Sequence, residues 1–220
     1  MMVIALVISL AITMATPASA VLAGKRICVD PGHGGSDPGA VYGRTEADLN
    51  WDMAKRLEHQ LIGKGASVKL TRGQTDGPDS RVRAQVCNDF KADVVLSIHL
   101  NASTAQTTDY TQVFYGKSVK DLSFARAMDA SFSVRVVTLD GVAIEGTRLE
   151  HKAPTVLANS LLLNTKMPAV LVESVFLSHP GEQLALSANQ PAAGYDFPAG
   201  QWRRDEIVAE LLKGLDAFLK

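Results

Sequence analysis

The sequence lacks an excess of charge of either sign. Its 220 residues include 22 lysines and arginines against 23 aspartates and glutamates, which gives a formal net charge of −1 at pH 7. A nearly neutral chain has no extended field of one sign that could hold nucleic acid or an anionic membrane by charge alone. We therefore expect no nucleic-acid partner.

Long apolar runs are also missing, except at the N-terminus. The run from Met1 to about Thr13 is followed by the segment ATPASA, which ends at Ala20 in the small-x-small pattern of a signal-peptidase site. No lysine or arginine precedes the run, so an uncleaved membrane anchor is the alternative. We predict a signal peptide over 1–20, export, a mature domain over 21–220 and no stable membrane insertion after processing.

Cysteine is scarce, with only Cys28 and Cys87 in the chain. Cys28 lies within an apolar strand pattern and Cys87 on the face of a predicted helix. Nothing in the sequence brings their two backbones within the distance that a disulfide requires. We expect two buried free thiols rather than a bridge.

Short apolar runs alternate with helical patterns along the rest of the chain. Continuous runs at 27–29, 94–98 and 169–172 are typical of strands buried on both faces, so they belong at the centre of a sheet. The shorter, more mixed segments 67–70 and 112–115 predict flanking strands.

Apolar residues four apart predict the helices. One stripe runs from Leu49 to Leu61, a second from Val82 to Phe90 behind a capping Asp79-Ser80 pair, and a third from Ile207 to Phe218. A further helix is expected over 121–132. The length permits one domain, and the alternation predicts an α/β fold with a mostly parallel mixed central sheet and helices on both faces.

Polar clusters follow each of the three predicted central strands. They are the segment DPGHGG, which contains Asp30 and His33, the segment HLN from His99 to Asn101, and Glu173. Ligands of open α/β sheets bind outside the carboxyl ends of the strands, so this edge is a predicted site. Two histidines and one carboxylate form a known zinc arrangement that leaves a position for water.

Two acids need separate interpretation. Glu46 ends the loop that contains His33 (the histidine loop), just before the first helix. It is a candidate metal ligand, or an ordinary acid at a helix N-terminus or part of a cap with Thr45. Glu173 directly follows the apolar run AVLV, where desolvation would raise its pKa into the range useful for a general base.

Four segments resemble one enzyme family. In chain order they are ICVDPGHGGSDPGA, TEADLN, SRVRAQVCNDFKADVVLSIHLNAS and MPAVLVESVFLSHPGE. They are similar to the zinc-dependent N-acetylmuramoyl-L-alanine amidases of bacterial autolysins, division and sporulation enzymes and some phage endolysins. The resemblance runs from about Lys25 to the C-terminus. It departs from the family at Ser174-Val175 and at His179.

The resemblance implies one zinc per chain, held by His33, Glu46 and His99, with Glu173 as the catalytic acid and base. The implied reaction is hydrolysis of the amide between N-acetylmuramic acid and L-alanine in peptidoglycan. A zinc peptidase acting within the stem peptide is the alternative.

Three further expectations concern the surroundings of the site. Asp30 is a candidate acceptor for a ligand imidazole N–H, or only a cap for its loop, and Asn101 could contact the substrate's peptide backbone. The polar segment from Glu150 to Lys152 is expected in a loop. Because 136–154 shows no helical stripe, we expect no inhibitory helix over the cleft and no required activator. We also expect a monomer.

Overall fold

The computed structural model describes residues 21–132, 136–139, 142–148, 150–187 and 203–220. The predicted signal peptide lies outside the described residues. The described strands are β1 (Arg26–Pro31), β2 (Val41–Tyr42), β3 (Arg44–Thr45), β4 (Ser67–Leu70), β5 (Val94–Asn101), β6 (Tyr110–Tyr115), β7 (Val136–Leu139), β8 (Val142–Arg148), β9 (Glu150–Val156) and β10 (Ala169–Phe176). The described helices are α1 (Glu46–Gly63), α2 (Ser80–Phe90), α3 (Val119–Asp129), α4 (Ser160–Asn164), α5 (Pro180–Ser187) and α6 (Arg203–Leu219).

Six strands form the central sheet in the order β4-β1-β5-β10-β6-β9. The first four are parallel, β6 runs antiparallel to β10, and β9 runs parallel to β6. The three strands predicted for the centre are β1, β5 and β10, and the two predicted flanking strands are β4 and β6. The α/β prediction is therefore confirmed. Strand β9, at the outer edge, replaces the loop that we expected around Lys152.

Helices cover both faces of the sheet. Alternate residues of β1 show the division, since Ile27 and Val29 enter the larger apolar cluster and Cys28 enters the smaller one. The larger cluster is formed with α1, α3 and α6, and the smaller one with α2 and α4.

Local signals set the helix boundaries. The Thr45 hydroxyl caps α1 by accepting the Asp48 amide, and the Asp79 carboxylate caps α2 by accepting the Arg81 amide. The predicted stripe of α1 is fully buried, whereas the predicted face of α2 is wrong because Val82 is 52% exposed. Helix α2 instead buries Arg83, Ala84 and Cys87.

The two cysteines form a disulfide, so the expectation of two free thiols is wrong. Parallel strand pairing and the packing of α2 bring the Cα atoms of Cys28 and Cys87 to 5.5 Å, within the range that a disulfide needs. The bond joins β1 to α2 across 59 residues of sequence.

No helix within the described ranges is both long and apolar enough to cross a membrane.

Candidate metal centre and its neighbouring carboxylate

The side chains of His33, Glu46 and His99 meet at the carboxyl end of the sheet. One Glu46 oxygen lies 3.0 Å from His33 Nε2, and the other lies 3.0 Å from His99 Nδ1. One ligand atom from each residue lies within 4.8 Å of the other two. Donors placed about 2 Å from one ion in tetrahedral directions are about 3.3 Å apart, so the group fits a zinc ion.

Each donor comes from a different element of the fold. His33 lies in the loop after β1, Glu46 is the first residue of α1, and His99 lies in β5. Glu46 is 3% exposed, so it is more than the ordinary helix acid that its position allowed.

Two glycines make room for the donors. A Cβ atom on Gly32 would lie 2.2 Å from the His99 ring, and one on Gly39 would lie 2.6 Å from a Glu46 oxygen. Gly39 also has a φ of +64°, which favours glycine. The backbone therefore approaches the donor side chains so closely that no larger residue fits at either position.

The electrostatics of the cluster favour a cation at its centre. Burial lowers the pKa of His33, but hydrogen bonds and charges of Glu46 and Asp37 outweigh burial and raise it to about 9. Burial raises the pKa of Glu46, but the two histidines outweigh it and hold that pKa far below its usual value. The pKa of His99 is raised as well, because Glu46 and Glu173 outweigh its burial. With a pKa of about 9, the metal-free His33 carries a proton at neutral pH, so metal binding there would release it.

Asp37, which the sequence did not single out, contacts the imidazole of the candidate ligand His33. Its Oδ2 lies 2.8 Å from His33 Nδ1, and its Oδ1 accepts the Gly39 amide at 3.1 Å. A carboxylate behind a metal-binding histidine fixes the ring orientation and the tautomer. The one sequence signal for this pair is its spacing, since His33 and Asp37 lie four residues apart in the same loop.

Asp30 has a different role from the first that was predicted. Its carboxylate accepts hydrogen bonds from Thr71, Ser97 and Arg83 and reaches neither candidate histidine ligand. These bonds connect the end of β1 to β5 and α2 and so hold the start of the histidine loop. This agrees with the alternative expectation that Asp30 caps its loop.

Two buried arginines hold the backbone of the histidine loop. Arg72 donates to the carbonyls of Pro31 and Gly32 at 2.7 and 3.0 Å. Arg83 donates to the carbonyls of Pro31 and His33 at 2.8 and 2.7 Å. His33 has a φ of +58°, a strained conformation for a residue with a side chain, and these bonds help to hold it there.

Glu173 lies beside the donors. It pairs with His99 in the parallel register of β10 and β5, and its Oε2 is buried without a hydrogen-bond partner in the described part of the chain. Burial, helped by the Glu46 charge, raises the pKa of Glu173 to about 7 against the opposing effect of the two histidines. Such a group can accept and return a proton near neutral pH.

A cavity of about 340 Å³ opens beside His33 and His99, between the histidine loop, the start of α2 and Asn159. Asn101 ends β5, and its side-chain oxygen accepts the Ala102 amide at 2.8 Å. The expected contact between Asn101 and a substrate peptide stays a prediction.

A family model for N-acetylmuramoyl-L-alanine amidases matches residues 27–193, which is more than half of the chain. The chain belongs to this family. This match confirms the family resemblance of the four segments. Members of the N-acetylmuramoyl-L-alanine amidase family are hydrolases of peptidoglycan.

Curated amidases of this family share about a third of their residues with the chain. The germination-specific N-acetylmuramoyl-L-alanine amidase of Bacillus subtilis is 33% identical over 215 residues, which cover 90% of this chain and 81% of that protein. The probable cell wall amidase LytH of Staphylococcus aureus is 34% identical over 74% of this chain. The match spans about half, 51%, of the length of LytH.

Solved amidase structures share the fold. The amidase from Clostridium difficile 630 is 26% identical with a TM-score of 0.67, covering 87% of this chain and 95% of that one. The catalytic domain of CwlV from Bacillus (Paenibacillus) polymyxa is 24% identical with a TM-score of 0.70, covering 87% and 96%. CwlD from Clostridioides difficile, solved in complex with the GerS lipoprotein, is also 24% identical with a TM-score of 0.70, covering 89% and 98%.

Proposed function

We propose that this amidase hydrolyses the bond between N-acetylmuramic acid and L-alanine with one zinc ion, held by His33, Glu46 and His99, and with Glu173 as acid and base. The observation that carries the proposal is the convergence of three donor side chains within 4.8 Å beside Glu173, whose Oε2 is buried and has no hydrogen-bond partner among the described residues. Family membership supports the choice of peptidoglycan as substrate.

A zinc ion at this site would polarise the scissile carbonyl and lower the pKa of a bound water from about 15.7 towards about 7. Glu173 takes a proton from the attacking water, because its raised pKa makes the carboxylate basic enough at neutral pH. The same group then donates the proton to the leaving L-alanine nitrogen. Asp37 keeps the His33 ring in orientation through the 2.8 Å contact at Nδ1.

His99→Ala tests the ligand assignment. Because His99 supplies one of three donors, we expect this variant to lose zinc and activity together, with metal measured by plasma emission after dialysis. His59→Ala is the matched control, since His59 lies within α1 and outside the donor group. A His99→Ala protein that retains stoichiometric zinc would show that the ligand set is wrong.

A zinc peptidase that cuts within the stem peptide is the second candidate, since the same donors and base would serve it. The two reactions leave different ends. An amidase frees the amino group of L-alanine and leaves a lactyl carboxylate on the glycan, whereas a peptidase creates new termini inside the stem.

We also propose that the protein acts outside the cytoplasm after removal of residues 1–20. The cell wall amidases among its relatives support this placement, and so does the Cys28–Cys87 disulfide, because disulfides persist in oxidising compartments. N-terminal sequencing of protein from the exporting cell should give Val21 as the first residue. An intact Met1 on a membrane-bound form would favour the anchor alternative.

We further propose that the enzyme works as a monomer without an activator. The described parts of 136–156 form strands β7, β8 and β9 and include no helix that could plug the cleft. The CwlD structure contains the GerS lipoprotein, so the proposal needs a direct test. Purified protein should digest peptidoglycan alone and elute as a monomer under light scattering. A protein that is silent alone but activated many-fold by an envelope extract would contradict it.

A further inference from the structure

The two strands beyond Glu173 each carry a polar side chain that the catalytic proposal does not use. Glu173 of β10 pairs with Gln112 of β6, and Gln112 pairs with Lys152 of β9. Paired residues of neighbouring strands project from the same face of a sheet, and neighbouring strands lie about 4.8 Å apart. Lys152 therefore lies on the catalytic face, with its backbone roughly 10 Å from that of Glu173.

The ammonium of Lys152 is held in place by an aromatic ring and has no anionic partner among the described residues. Its Nζ lies 3.8 Å from the centre of the Tyr110 ring, a cation–π contact. The Tyr110 ring in turn packs edge-on against buried Phe176 at 4.5 Å. No carboxylate in the described part of the chain pairs with Lys152, which is exposed. The lysine is thus a positioned cation, open to a ligand.

The proposed reaction fixes which part of the substrate would reach this cation. The metal donors lie on the β1 and β5 side of Glu173, so the scissile carbonyl would lie there. Glu173 protonates the leaving nitrogen, which places the peptide that begins with that nitrogen on the β6 and β9 side. An extended peptide spans about 3.3–3.6 Å per residue, so roughly three residues cover the distance from Glu173 to Lys152.

Charge supports the same direction. The stem peptide of peptidoglycan carries free carboxylates, whereas the glycan is uncharged once its lactyl carboxyl is part of the amide bond. The Lys152 cation beside the path of the leaving peptide matches the stem and not the glycan.

We propose that Lys152, supported by the Tyr110 ring, binds a carboxylate of the stem peptide, which makes the edge from Glu173 through Gln112 to Lys152 the peptide-binding part of the cleft. This inference rests on the proposed amidase function. It makes Lys152 a specificity-determining residue for acidic stems over stems in which that carboxylate is amidated.

Kinetics on two matched muramoyl peptides, one with free stem carboxylates and one with carboxamides in their place, test the proposal. An exposed ion pair is worth only a fraction of a kcal/mol to about 1 kcal/mol, so Lys152→Gln should raise KM for the acidic stem roughly three- to fivefold. It should leave kcat within about twofold and leave the amidated substrate unaffected. Lys152→Arg should restore the preference, and the effect should shrink at high salt.

Lys69→Gln is the control, because Lys69 is an exposed lysine of β4 at the opposite edge of the sheet. An unchanged KM for the acidic stem in Lys152→Gln, with an active parent, overturns this inference and leaves the proposed function intact. An equal loss on both substrates also overturns it, since charge recognition would not be the cause. A parent protein that cuts neither substrate refutes the proposed function, and the inference falls with it.

Discussion

Asp37→Asn is expected to weaken zinc binding while leaving the fold intact. The asparagine keeps a side-chain oxygen for the Gly39 amide, which now bonds Asp37 Oδ1 at 3.1 Å. It replaces Oδ2, which lies 2.8 Å from His33 Nδ1, by an NH2 group that cannot accept the imidazole N–H, and it removes the negative charge there. Loss of such a supporting carboxylate typically costs 10–100-fold in metal affinity. Because the Asp37 side chain is 64% exposed, solvent screening places the expected loss near the lower end, about tenfold or about 1.4 kcal/mol.

A competition titration against a chromophoric chelator measures the zinc affinity of parent and variant directly. Asp89→Asn is the matched control, because Asp89 lies on α2 and accepts a hydrogen bond from Gln85 far from the donors. The apoprotein melting temperatures of both variants should stay close to that of the parent, as for most surface substitutions. Unchanged zinc affinity in Asp37→Asn would refute the role assigned to Asp37. A large fall in its apoprotein stability would show that the residue serves the loop rather than the ligand.

Two other substitutions have defined outcomes. Glu173→Gln should lower kcat by roughly 10²–10⁴-fold with zinc content equal to that of the parent, and near-normal turnover would defeat its assignment as the base. Below the pKa of Glu173 the rate should fall about tenfold per pH unit, because the carboxylate becomes protonated. A bound dication lowers this pKa from its metal-free value of about 7, so the fall should begin below about pH 7. The Gln variant should lack this pH dependence. In the metal-free protein the folded pKa of Glu173 lies above its ordinary 4.5, so the folded state binds more protons and loses stability as pH rises from 4.5 to 7. Glu173→Gln should therefore raise the apoprotein melting temperature at pH 8, measured by calorimetry. Replacing Cys28 and Cys87 together with alanine should cost about 2–4 kcal/mol in urea unfolding, since their bond closes a loop across 59 residues, and an unchanged midpoint would mean that the bond does not form.

The sequence was sufficient where one local signal dominates. Continuous apolar runs identified β1, β5 and β10, because strands buried on both faces have that pattern. The polar segments that end these strands then placed His33, His99 and Glu173 at one edge. The donor group that the resemblance implied is the group that the structure brings together.

Features that depend on tertiary packing could not be predicted. The disulfide forms because α2 packs against β1 and brings the two cysteines together. The residues near Cys28 and Cys87 do not indicate that packing. Helix α2 buries Arg83 because Asp30 and three loop carbonyls accept from it, so a polar residue occupies a face that an apolar stripe analysis assigns to solvent. Strand β9 was not predicted because it is an edge strand of mixed, polar sequence. It is recognisable only from its pairing with β6.

Digestion of purified peptidoglycan is the direct test of zinc-dependent cleavage between N-acetylmuramic acid and L-alanine. The intact chain is incubated with the wall alone, with a chelator, and with the chelator followed by added zinc, and the fragments are identified by mass. We expect peptides with a free N-terminal L-alanine and glycan with a lactyl carboxylate, no release with chelator, and recovery with zinc. Cleavage inside the stem peptide, or release that the chelator does not affect, would contradict this expectation.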